Sequence, residues 1–230
     1  MIVDERTTEY IRSLEPDYTP VLARIEAEAI RDRVPIIRRE TGSLLRSLIL
    51  MKHPHRILEV GTATGFSALL MSEVMPEGCT ITTIEKYEKR IPLAQDNFRR
   101  AGKADVIHLI AGDAADVLEA LEGSFDFIFM DAAKGQYIHF LPSIMRLLEP
   151  GGVLVSDNIL QDGQLVESRY GVTRRNRTIH SRMREYLYTL KHMEELESSV
   201  LTVGDGVTIS VRKEGGTDEK TRTFDSGRES

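Results

Sequence analysis

One cysteine stands in the whole 230-residue chain. A single thiol closes no intrachain disulfide, and there is no second cysteine from which to build a thiolate zinc site. Cys79 sits in CTITTIE, an apolar run that reads as a buried strand, where it serves as a small core residue. Long apolar runs are missing too. None approaches the ~20 residues that span a bilayer, so no membrane segment is expected. The start, MIVDERTTEY, has no basic region ahead of an apolar one and reads as carrying no signal peptide. A cytoplasmic protein is the expectation. Net charge is −6, which argues against a globally basic nucleic-acid binder, and DNA is not expected as a partner; a local basic face remains open. The six histidines, at 53, 55, 108, 139, 180 and 192, lack the pairing of a zinc-binding helix. No internal repeat is found.

What the chain does contain is alternation. The length suits one domain with a sizeable core. Residues 7–15, 20–33 and 41–51 carry helical patterning, and Pro35 interrupts it. These three helices, an extension over about 1–53, precede the first strand. From Arg56 onward strands at 57–60, 80–85, 106–113, 125–131 and 153–157 alternate with helices at 66–75, 87–101, 114–121 and 136–148. That pitch predicts an α/β fold with a mostly parallel sheet and helices on both faces. After a helix near 176–190, two runs at 194–203 and 207–212 flank Gly204-Asp205-Gly206 and read as a hairpin. The sheet therefore ends antiparallel, and a single domain spans 1–212. The segment 213–230 holds Phe224 as its one large apolar residue and reads as a loose, disordered tail.

Acidic residues close several of these strands. Asp131 follows FDFIFM, and Asp157-Asn158 follows GGVLVS. Parallel strand ends of one polarity gather along one crevice. Two carboxylates and a carboxamide there suit Mg²⁺, a hard cation that prefers oxygen. Lys134, three residues past Asp131, is a candidate general base beside it. The turn GTATG, 61–65, follows a strand and opens a helix. Glu85 closes the next strand, 20 residues after Gly65, where a carboxylate suits ribose hydroxyls. Ala63 stands where a dinucleotide fold needs its second glycine for the pyrophosphate. A cofactor with ribose and adenine but no phosphates then remains, namely S-adenosylmethionine. Asp113 closes the third strand in AGDAAD.

RILEVGTATGFSA, TIEKYEK, GDAAD, FIFMDAAKGQY and GVLVSDNIL together resemble the cation-dependent O-methyltransferases, a family that includes catechol and caffeoyl-CoA methyltransferases. The likeness covers roughly 30 to 212. It implies a Rossmann-like class I methyltransferase fold, with a seven-stranded sheet whose last strand is reversed. Carried onto this chain, it implies that Glu59, Gly61 and Ser67, with backbone around Ile37, shape the methionine side of the cofactor pocket. Glu85 would hold the ribose and Gly112-Asp113 would meet the adenine. Asp131, Asp157 and Asn158 would bind Mg²⁺, Asp131 also facing the cofactor and counting as catalytic, and Lys134 would be the base. Relatives are often homodimers, and a homodimer is expected.

Val34-Pro35-Ile36 and RRNRTIHSRMR, 174–184, resemble one bacterial branch, the tRNA 5-hydroxyuridine methyltransferases. That branch makes 5-methoxyuridine at the wobble position of the anticodon loop. Arg174, Arg175, Arg177, Arg182 and Arg184 crowd into eleven residues, and Arg38 and Arg39 are placed near the mouth of the site. Such a local cationic face suits RNA phosphates, and Tyr170 suits stacking on an unpaired base. The plain alternative is a charged helix face, with Arg182 or Arg184 paired to Glu185. A catechol or phenol methyltransferase with the same catalytic set is the competing function.

Overall fold

The computed structural model describes residues 3–168 and 170–215. Beyond 215, the expected tail lies outside the described residues. Seven strands form one sheet: β1 (Arg56–Val60), β2 (Thr80–Glu85), β3 (Ile107–Ala111), β4 (Phe125–Met130), β5 (Leu148–Ser156), β6 (Leu196–Leu201) and β7 (Val207–Arg212). Their order is β3-β2-β1-β4-β5-β7-β6. The first five run parallel, and β7 is antiparallel to both of its neighbours. The order reverses between β1 and β4. At such a reversal the crossover helices leave to opposite faces, and a crevice opens at the strand ends.

Apolar residues on both faces of the central strands make this a buried sheet. Ile57, Phe127, Phe129, Val153 and Val155 point to one core, while Leu58, Ile128, Met130 and Leu154 point to the other. That is the period of two a strand imposes. The first core is roofed by α2 (Pro20–Arg31), α3 (Arg39–Lys52), α4 (Phe66–Ser72) and α5 (Ile91–Arg100) through Leu22, Ile25, Leu45, Ile49, Leu69 and Phe98. The N-terminal helices, read as standing outside the repeating unit, thus share its core. Of the three N-terminal helices, α1 (Glu5–Ser13) buries no residue. The second core is covered by α6 (Ala114–Ala120), α7 (Tyr137–Leu147) and α8 (Arg177–His192).

Element ends shift in places. The strand expected at 153–157 begins earlier, at Leu148, so that Pro150-Gly151-Gly152 lies inside β5. The pairing with β4 slips between Phe125 and Phe127, so the strand absorbs the proline and glycines as an irregularity. No helix among the described residues is long and apolar enough to cross a membrane.

Candidate active site

The glycine turn after β1 is built by exclusion of side chains. Gly61 has φ +107°, and a Cβ there would lie 2.2 Å from the Asp131 carbonyl oxygen. Only glycine lets the turn press against the end of β4. The Gly61 and Thr62 amides both donate to the Ile84 carbonyl at 3.1 Å. Glu85 then fixes the turn from β2: one carboxylate oxygen accepts from the Ala63 amide and the other from the Tyr87 amide, each at 2.8 Å. Each oxygen keeps a second lone pair for a ribose hydroxyl. Farther along, the Gly112 amide donates to the Glu85 carbonyl. Asp113 caps α6 by accepting from the Ala115 amide at 3.0 Å, and it faces Lys86 at 3.2 Å. The amide and, after it, the ammonium hold the Asp113 carboxyl below its ordinary range. The three acidic strand ends are thus stitched along one edge.

Glu59 and Ser67 come together beneath that edge. Glu59 is fully buried. Its carboxylate accepts from the Ser67 and Thr83 hydroxyls, both at 2.5 Å, and Thr83 in turn meets Thr62 at 2.6 Å. Burial pushes the Glu59 carboxyl up to about 8, against the pull of both hydroxyls. Ile37 is buried in the core ahead of α3.

Asp131 and Asp157 follow directly on the paired residues Met130 and Ser156. The ladder continues past the strands: the Asp131 amide donates to the Val60 carbonyl and the Asp157 amide to the Met130 carbonyl, each at 3.0 Å. The two carboxyls are therefore neighbours by register. Burial raises both above the ordinary carboxyl value. The charge of Asp131 raises Asp157 further, while Lys134 pulls both down. Asn158 has φ +57°, the left-handed region that asparagine tolerates better than most residues. Its amide donates to the Asp157 carboxylate at 2.7 Å. Among the described residues, no three His, Cys, Asp or Glu side chains gather as metal ligands. The expected set is two carboxylates and a carboxamide, and it fits a divalent oxygen-seeking ion: two like charges forced together in a buried place are relieved by a cation.

Two residues that sequence reading passed over complete this end of the crevice. The Tyr137 hydroxyl, fully buried, lies 3.1 Å from the Met130 carbonyl and 3.2 Å from that of Asp157, bridging the tips of β4 and β5. Lys134, on a 3-10 turn over Lys134–Gln136, points its Nζ at Asp205 Oδ2, 3.4 Å away. Asp205 belongs to the turn read as a simple hairpin. Its one sequence signal was an acidic residue held between two glycines.

The arginines divide. Arg39 forks onto Glu26 at 3.0 and 2.7 Å and lies over the Tyr18 ring. Arg38 donates to the Gly204 carbonyl at 3.2 Å, and Arg46 pairs with Glu73. Arg182 donates to the Gly135 carbonyl at 3.1 Å and Arg177 to that of Val172 at 3.3 Å. These five are tied to the protein itself. Arg174, Arg175 and Arg184 are exposed, as is Tyr170 at 85 %.

Comparison with known proteins gives the family and the fold. The model of the O-methyltransferase family matches residues 13–213, and the chain belongs to that family. It is 34 % identical over 130 residues to a catechol O-methyltransferase of Niastella koreensis, covering 55 % of this chain and 59 % of that protein, so the chain spans less than two thirds of that relative's length. It is 31 % identical over 183 residues to a caffeoyl-CoA O-methyltransferase of Populus kitakamiensis, covering 75 % and 76 %. Among solved structures, the SAH-bound Podospora anserina methyltransferase PaMTH1 superposes with a TM-score of 0.81 at 27 % identity, over 91 % of this chain and 95 % of that one. The Bacillus cereus O-methyltransferase in complex with SAH gives 0.81 at 23 %, over 90 % and 97 %, a likeness of fold.

Proposed function

We propose that this protein is an S-adenosylmethionine-dependent O-methyltransferase assisted by a divalent cation, Mg²⁺ by the chemistry of its donors. The observation that carries the reading is the packing of the Gly61 turn against Asp131. That packing supports a reading in which the cofactor edge and the Asp131–Asp157 pair share one crevice. The cofactor supplies an electrophilic methyl and the cation supplies Lewis acidity and a template for two adjacent acceptor oxygens. Asp131, Asp157 and Asn158 would hold the cation, and Glu85 would accept from the ribose hydroxyls. Lys134 Nζ takes the proton of the acceptor hydroxyl as the oxygen–carbon bond forms and the carbon–sulfur bond breaks, leaving S-adenosylhomocysteine. Holding oxygen, methyl and sulfur in line contributes roughly 7–11 kcal/mol of the barrier reduction.

The acceptor we assign is 5-hydroxyuridine at the tRNA wobble position, whose 5-hydroxyl and O4 carbonyl are adjacent oxygens. The exposed Arg174, Arg175 and Arg184 with Tyr170 support it, all lying on or before α8 and downstream of Asn158. A catechol or caffeoyl-type phenol is the second reading, favoured by the activities of the relatives and by the inward ties of Arg39 and Arg182. Labelled S-adenosylmethionine offered with undermethylated tRNA, and separately with a catechol panel, each with Mg²⁺ or with EDTA, separates them. Label in tRNA only with Mg²⁺ is expected. Label in catechols and none in tRNA reverses the assignment, and equal label in EDTA removes the cation.

A further inference from the structure

Gly204-Asp205-Gly206 is too tightly built for a loop that only joins two strands. At Gly204 φ is +59°, and a Cβ would lie 2.5 Å from the Thr41 hydroxyl; at Gly206 φ is +84°, and a Cβ would lie 2.4 Å from Leu160 Cγ. The turn is threaded through a slot between α3 and the segment that follows Asn158. Backbone bonds hold it there: the Ile159 amide donates to the Gly206 carbonyl at 3.0 Å and the Leu160 amide to that of Asp205 at 2.9 Å. From the other side Arg38 donates to the Gly204 carbonyl. Two positions that admit only glycine flank one carboxylate, 3 % exposed. That carboxylate is the partner of the Lys134 ammonium, whose side chain is about one third exposed.

A lysine has four rotatable bonds, so its nitrogen sweeps a wide volume unless tethered. The backbone under Lys134 is fixed from α8, where Arg182 donates to the Gly135 carbonyl and Ile179 would sit 3.4 Å from a Gly135 Cβ. Among the described residues, the direct side-chain contact at its far end is Asp205 Oδ2, 3.4 Å from Nζ, while the charges of Asp131 and Asp157 also act on it. Resting on the reading of Lys134 as the base, we propose that Asp205 is its positioning residue: the glycine-flanked turn delivers a fixed carboxylate that keeps Nζ at the acid pair. Because the same turn is bonded to Ile159 and Leu160, the placement of Nζ is tied to that of Asp157 and Asn158.

The tether is read first without any acceptor. In protein labelled with ¹⁵N-lysine, the Lys134 ammonium, assigned by its loss in Lys134→Ala, is expected as a slowly exchanging signal. It should disappear in Asp205→Ala and weaken in Asp205→Asn, which keeps shape and an acceptor oxygen and guards against misfolding. Turnover is then followed with catechol and with 5-hydroxyuridine. Asp205→Ala is expected to lower kcat at least tenfold, with KM for S-adenosylmethionine within twofold of the unaltered protein. In a Lys134→Ala background the same change should alter kcat much less, since the lysine it is proposed to position is gone. An ammonium signal unchanged in Asp205→Ala, or an equal kcat loss in both backgrounds, overturns the placement. Full turnover by Lys134→Ala overturns the base assignment beneath it, and the placement with it. A slow Lys134→Ala beside an unaffected Asp205→Ala overturns the placement alone.

Discussion

Asp131 links several parts of the site: its backbone carbonyl abuts the glycine turn, its register sets it beside Asp157, and its carboxyl feels the charge of Lys134. On the proposed reading Asp131→Ala would remove one of two charged cation ligands, and loss of a cation ligand with the template it anchors costs on the order of 10²-fold or more in rate. We expect methyl transfer to fall at least 100-fold while S-adenosylmethionine binding, measured by calorimetry without Mg²⁺, weakens less than tenfold. Turnover within tenfold of the unaltered protein would remove the cation mechanism. Glu59 gives a pH prediction. Its folded value near 8 lies above the ordinary 4.5, because burial disfavours the charge. The folded state therefore binds this proton more tightly than the unfolded chain. Its contribution is full below about pH 4.5, declines as pH rises, and is lost above about 8, with a slope approaching ~1.4 kcal/mol per pH unit. Glu59→Gln cannot ionise, so urea midpoints between pH 5 and 8 should flatten relative to the unaltered protein. An identical slope in both would show that Glu59 is ionised throughout. Single residues were legible from sequence where strand ends announced them: Asp131, Asp157, Glu85 and Asp113 each terminate an apolar run. Asp205 was not, because its partner is 71 residues away, and a glycine-flanked acid reads first as a turn.

Elements were legible wherever apolar periodicity and strand–helix alternation agreed, which is why all seven strands fall near their expected places. What periodicity does not carry is the direction a surface side chain takes. Arg39 and Arg182 stood on the expected cationic face, yet the fold gives Arg39 a carboxylate on α2 and Arg182 a carbonyl under Lys134. Only packing decides this, since an arginine that finds an internal fork keeps it. The prediction for RNA therefore narrows to the segment leading into α8. Arg174→Glu with Arg175→Glu reverses two exposed charges. Each lost phosphate contact weakens binding and lowers the salt slope by about one. Methylation of tRNA at 100 mM salt should drop at least tenfold, with methylation of free 5-hydroxyuridine changed less than twofold. Loss of both together, or of neither, would return this segment to an ordinary solvated helix start.

At the scale of the molecule, the two cores and the N-terminal helices differ in how firmly they are joined. Leu22, Ile25 and Ala29 of α2 are buried in the first core, and the Tyr18 ring packs edge-on against Phe66 at 5.6 Å. By contrast α1 buries nothing, and Tyr10 and Leu14 are about two-thirds exposed. A groove of about 910 Å³ runs between α1, α3 and the turn at 202–204. Among the described residues, Arg12 forks onto Glu40 across it, at 3.0 Å for both bonds. Arg12 is 42 % exposed there, so solvent screening leaves the pair worth no more than about 1 kcal/mol. For a domain of this size, that corresponds to ~2–4 °C in Tm. Deleting residues 1–14 should therefore lower Tm by no more than about 4 °C. Deleting residues 1–31 should unfold the protein or lower Tm by 10 °C or more, because three core side chains and the Tyr18–Phe66 contact go with it. Native-state hydrogen exchange gives the same contrast without cutting the chain: amides of α1 should exchange near the unprotected rate and those of α2 through opening of the whole fold. If both deletions prove equally damaging, α1 belongs to the cooperative core, and its exposed apolar face is covered in solution by something the isolated chain does not provide.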